Sequence, residues 1–110
     1  MSWIRYHVEH LKRWREVAEK FFKAARDLYP ESEVYVIGSV AEGRHTVTSD
    51  VDILICFPEG IDVRRAKKKV ILRAMDVYDV PWDYPFEVHA YTMSECEKVK
   101  RVSGKVVRIG

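Results

Sequence analysis

The sequence predicts an α+β fold, an α/β sandwich of two or three layers in which helices flank a mixed β-sheet. Three observations carry that expectation. Two segments place apolar residues at three-and-four spacing; three short apolar runs are bounded by turn residues; and the gap between the first two runs is too short for a long helical crossover. The 110 residues suit one domain, expected to span 1–110, with 47% hydrophobic residues for a core and 33% charged residues for a solvated surface.

The first segment is a long N-terminal helix. Ile4, Val8, Leu11, Trp14, Phe21, Ala25 and Leu28 mark its apolar stripe, and Lys12, Arg13, Glu16, Lys20 and Lys23 fall between them. It runs for about 25 residues, roughly 38 Å, until Pro30 stops it. The aromatic stripe of Trp3, Trp14, Phe21 and Phe22 belongs to the core. Its length leaves apolar surface to pack against a partner, a second copy of the chain included.

A short buried strand, Val34–Ile37, follows and ends at Gly38-Ser39. Val40 to Ser49 is rich in turn residues, with one helical turn expected over Val40 to Gly43. The second strand is Val51–Phe57, closed by Pro58 and Gly60. Val63, Ala66, Val70, Ala74 and Val77 then give a second amphipathic helix, whose outer face carries Arg64, Arg65, Lys67, Lys68 and Lys69. That basic run is read first as a solvated face; contact with RNA or an acidic partner stays open. Pro81 and Pro85 punctuate a loop into a third strand, Phe86 to Tyr91. Ser94-x-x-Glu97 reads as a capping box opening a short helix. Gly104 to Ile109 fits both a last strand and a loose tail.

Composition excludes several classes. Nineteen Lys and Arg against seventeen Asp and Glu leave +2 with neutral histidines, too balanced for a binder driven by bulk charge. Two cysteines cannot build a disulfide framework, and no CxxC or HxxxH spacing suggests zinc. Cys56 is read as a small buried hydrophobe. No apolar run reaches membrane-spanning length and the N-terminus has no signal core, so no membrane association and a cytoplasmic location are expected. The chain has no Asn and no Gln, which with its Glu, Lys and Arg content points to a heat-adapted source.

The chemistry lies between Gly38 and Asp52. Asp50 and Asp52 are two apart at a strand start, so both carboxylates leave one face while Val51, Ile53 and Ile55 leave the other. Paired carboxylates repel unless a cation lies between them, and an all-oxygen set suits magnesium or manganese. Glu87 sits between apolar Phe86 and Val88 and shares its face with His89 and Tyr91. If its strand neighbours the second, Glu87 completes a three-carboxylate cluster of the kind that holds two metals about 4 Å apart in phosphoryl transfer. Gly38-Ser39 allows a phosphate close to the backbone, with amides of the following turn aimed at it. His89 is read as a structural histidine, and Arg44 and His45 first as loop surface, with a ligand role left open.

Gly-Ser, ten residues, then Asp-x-Asp resembles the nucleotidyltransferase superfamily that includes DNA polymerase beta. Gly38 to Arg44 with Ser49 to Ile55 is similar to its minimal, stand-alone members, the MNT proteins, and the likeness covers about Val34 to Tyr91. The resemblance implies the nucleotidyltransferase fold, with Asp50, Asp52 and Glu87 as metal ligands and catalytic residues and two magnesium ions as cofactor. Gly38 and Ser39 would cradle the phosphates of a nucleoside triphosphate, expected to be ATP. Glu87 would also activate an attacking hydroxyl, and NMP would be transferred with release of pyrophosphate. Many minimal members pair with a HEPN-domain ribonuclease as toxin–antitoxin modules, so the implied acceptor is a hydroxyl of a HEPN toxin; the rival is a non-catalytic antitoxin that masks the toxin by contact. Many relatives carry a basic residue where this chain has Val40 or Glu42, and Arg44 is expected to take over phosphate contact. With no further domain to hold a primer, a tRNA or an antibiotic, polymerase-like and drug-modifying roles are not expected.

Overall fold

The computed structural model describes residues 13–43 and 50–110. Helix α1 (Trp14–Leu28) buries Val17, Ala18, Phe21, Ala24 and Ala25; of the expected stripe Phe21 and Ala25 are buried, Trp14 is partly buried and Leu28 is exposed. Positions 3 to 12 of the expected longer helix lie outside the described residues. The helix ends where the Tyr29 N–H bonds the Ala25 carbonyl, one residue before Pro30. Strand β1 (Glu33–Ile37) leads directly into a single helical turn, α2 (Gly38–Ala41). Strand β2 (Val51–Phe57), helix α3 (Val63–Asp76), strand β3 (Phe86–Thr92), helix α4 (Met93–Val102) and strand β4 (Val107–Ile109) follow. The open choice for the C-terminal residues thus resolves as a short strand.

The sheet is mixed, with order β3-β2-β1-β4. β1 is antiparallel to β2 and to β4, while β2 and β3 are parallel and joined through α3. The large core lies on one face, where Val34, Val36, Val51, Ile53, Ile55, Phe57 and Val88 meet the buried stripes of α1 and α3. Phe21 and Phe86 pack edge-to-face there, ring centroids 5.0 Å apart. A smaller cluster on the opposite face joins Tyr35, Leu54 and Cys56 to Cys96 of α4. The layers are therefore α1 and α3, then the sheet, then α4.

Two readings change. Cys56 is no free hydrophobe: it forms a disulfide with Cys96, Cα atoms 6.0 Å apart, tying β2 to α4. Forty residues separate the two cysteines, so no local spacing announces the bond. The capping box is Thr92 with Glu95, one pair earlier than Ser94 with Glu97. The Thr92 N–H donates to Glu95 Oε1 at 3.1 Å and the Glu95 N–H returns to Thr92 Oγ1 at 3.4 Å. β3 stays extended through Thr92 with no loop before the helix, so the cap falls at the strand's last residue. The Ser94 N–H bonds Glu59, and Glu97 pairs with Lys100.

Asp27 joins the two helices of the large core. Its Oδ2 accepts from Arg73 Nε at 2.8 Å and from the Tyr78 hydroxyl at 2.5 Å, and these bonds hold its carboxyl below the usual range. A lowered carboxyl contributes stability above its unfolded pKa and loses it as pH falls through the folded one, so this link weakens only in acid.

The disulfide closes a loop of 40 residues, worth about 4 kcal/mol by chain-entropy arithmetic. Reduction should therefore lower the thermal midpoint by roughly 15 °C for a chain of this size, read by calorimetry with and without phosphine reductant. Equal midpoints, with reduction confirmed by thiol titration, would show that the bond carries no stability.

Candidate active site

Three strand ends meet where β1 finishes and β2 and β3 begin. In the β1–β2 ladder Ile37 lies opposite Asp52, and in the parallel β2–β3 ladder Asp52 lies beside Glu87 and Leu54 beside His89. Period-two alternation sends Val51, Ile53 and Ile55 into the large core and leaves Asp52 on the other face, as the sequence predicts. On that same face Glu87, His89 and Tyr91 line up along β3, an edge strand.

Asp52, Glu87 and His89 each offer a ligand atom, and the three atoms lie within 4.8 Å of one another. His89 Nε2 sits 3.1 Å from Asp52 Oδ1, which fixes how these two side chains face each other. Like charges on neighbouring strand positions normally destabilise a sheet, so Asp52 beside Glu87 is a cost of the fold unless a cation offsets it. Two carboxylates and an imidazole fit a divalent cation, with the oxygens suiting magnesium or manganese and the nitrogen tilting the set toward manganese.

Gly38 closes the site from the side of β1. Its φ is +77°, a left-handed conformation that favours glycine, and a Cβ built there would lie 2.5 Å from Asp52 Oδ2. The backbone of the Gly-Ser pair therefore abuts the Asp52 carboxylate. Ser39, half-buried, is the second residue of α2. That turn closes through the Glu42 N–H to the Gly38 carbonyl at 3.1 Å.

The other expected residues fall as follows. Asp50 is exposed, one residue before β2, and is not among the three whose ligand atoms converge. Arg44 and His45 lie outside the described residues. His89, read from sequence as a structural histidine, belongs to the cluster; its shared face with Glu87 was the available signal. A cavity of about 230 Å³ opens beside the cluster, between β3 and α3, lined by Glu87, His89 and Tyr91 on one side and Arg64 and Lys67 on the other.

A family model described as nucleotidyltransferase domain matches residues 18–109. A solved structure from Sulfolobus solfataricus, of a protein provisionally called a nucleotidyltransferase, superposes with a TM-score of 0.64. It is 21% identical and the match covers 93% of this chain and 84% of that one, a likeness of fold. No protein of curated function matches the sequence.

Gly38→Ala should cost about 1–2 kcal/mol for the left-handed backbone and push the Asp52 carboxylate aside. Manganese affinity, followed by electron paramagnetic resonance, should fall about 10–100-fold, the range seen when a ligand loses its support. Unchanged manganese binding in a folded Gly38→Ala variant would remove Asp52 from any metal site.

Proposed function

Because the chain belongs to the nucleotidyltransferase domain family and so transfers a nucleoside monophosphate from a nucleoside triphosphate, we propose that it moves AMP from ATP to a hydroxyl of a partner protein. The observation that carries this reading is the convergence of Asp52, Glu87 and His89 at the strand end where the Gly38-Ser39 turn begins. In the same reading the partner is a HEPN-domain toxin, the chain is its antitoxin, and the pair works in the cytoplasm. The lack of Asn and Gln, joined to an internal disulfide, supports a heat-adapted source, since intracellular proteins of hyperthermophiles keep such bonds.

Each residue has a defined task. Asp52 and Glu87 would hold magnesium, and Asp50, which stands just before β2 outside the convergent three, would turn in to join them. When bound, magnesium supplies positive charge that neutralises the triphosphate and the charge developing in transfer. The Gly38-Ser39 backbone, which approaches Asp52 closely, cradles the phosphates, and Arg44 adds a cation to them. His89, bonded to Asp52, keeps that carboxylate oriented. Glu87 takes the proton from the acceptor hydroxyl as its oxygen bonds to the α-phosphorus. The bond from that phosphorus to the bridging oxygen breaks in line, and pyrophosphate leaves.

Asp52→Asn should fold normally, because the side chain is half-exposed, yet lose transfer by about 10³-fold, the several kcal/mol that a metal-held phosphate provides. Radiolabel from ATP on the acceptor is the readout; retained activity would overturn the assignment. Incubation of the wild-type protein with labelled ATP, magnesium and the product of the adjacent gene should place label on that product. Tight association without label would instead mean inhibition by contact.

A further inference from the structure

Helix α3 carries a charge density that the transfer site does not use. Arg64, Arg65, Lys67, Lys68 and Lys69 fall within six consecutive positions. At 100° per residue they spread over roughly 200° of the helix surface, while Ala66, Val70 and Ala74 take the buried side. Four of the five are exposed and Lys67 is half-buried. Among the described residues no ion pair involves any of them. Arg73, one turn further on, shows the contrast, since Asp27 neutralises it at 2.8 Å. Asp62, the acid just before the run, caps the helix by accepting from the Arg65 N–H at 3.3 Å.

The surface is continuous with the transfer site. Arg64 and Lys67 line the cavity that Glu87, His89 and Tyr91 close. Arg64 also lines a second, open cavity of about 380 Å³ with Asp62, Arg65, Lys68 and Lys69, four cations to one carboxylate. Leu72 is the apolar residue of that cavity, 60% exposed.

We propose that this face of α3 binds the phosphate backbone of a nucleic acid strand, a binding function beyond the transfer reaction and independent of it. Charge matching favours that occupant. Five positive charges wrap about 200° of a helix about 11 Å across, an arc of about 19 Å, and a strand with a phosphate about every 3.4 Å meets four or five of them there. Composition favours it as well. Protein interfaces are depleted in lysine and centre on apolar anchors, whereas three lysines and two arginines around one leucine resemble a nucleic-acid surface.

The test measures binding directly, with no nucleoside triphosphate or metal present, so its outcome is separate from that of the transferase reading. Fluorescein-labelled RNA and DNA strands of about 20 nucleotides are titrated with the full chain and followed by anisotropy at salt from about 50 to 300 mM. Binding at the lowest salt should be micromolar, and log K should fall against log salt with a slope near −3, about four neutralised phosphates. Tighter binding of one strand identifies which source of phosphate is used. The triple variant Arg65→Ala, Lys68→Ala, Lys69→Ala keeps good helix formers on an exposed face, so it folds. It should bind at least about tenfold more weakly, with a slope shallower by about 2. Equal binding by the variant, or no saturable binding by the wild type, overturns the proposal. So does displacement of the strand by polyglutamate as readily as by unlabelled RNA, which would assign the face to an acidic protein.

Discussion

The parallel register between β2 and β3 governs the site. Val51, Ile53, Ile55 and Phe57 are all buried, so β2 has one face that cannot turn outward. A slip of one residue would move those four out of the large core to the side of α4 and the site, and would bury Asp52 among apolar side chains. Val88 joins the same core from β3, which fixes Glu87 and His89 on the opposite face. The adjacency of Asp52 and Glu87 is thus imposed by hydrophobic burial on the far side of the sheet. The core tolerates the repulsion because its burial free energy far exceeds a single like-charge pair.

The opposite face of the sheet is divided. Toward the end of β2, Leu54 and Cys56 are covered by α4, with the disulfide to Cys96 holding that helix down. Toward its start, Asp52 and its neighbours on β3 stay accessible. One strand therefore serves as scaffold at Cys56 and as reactive edge at Asp52, four residues or about 13 Å away. Lys100 of α4 adds to the scaffold end, with its ammonium 4.5 Å over the Tyr35 ring.

Much of this was legible in the residues. β2 matched its expected bounds because Val51 and the apolar run 53–57, interrupted only by Asp52 and closed by Pro58, admit few alternatives. Period-two alternation put Glu87 and His89 on one face of their strand, but their meeting with Asp52 was expected only if that strand neighbours β2, which the parallel ladder supplies. What remained illegible depended on contacts distant in sequence. The Cys56–Cys96 bond needs β2 and α4 to meet, and nothing local in either cysteine's surroundings reports that. The capping box was ambiguous because Thr92-x-x-Glu95 and Ser94-x-x-Glu97 overlap, and only the extent of β3 chooses between them. His89 was read as structural because alternation gives a face without a distance, and its 3.1 Å contact with Asp52 is a tertiary fact.

The close approach of Gly38 to Asp52 has a consequence for how such a chain drifts over generations. With Asp52 Oδ2 in the space a methyl group would need, the two positions are sterically coupled. A lineage that keeps the acid has almost no freedom at the glycine, whereas one that has discarded the acid is released from that restriction. Decay of the pocket in descendants should therefore begin at 52, after which 38 keeps only the milder restriction of its left-handed backbone.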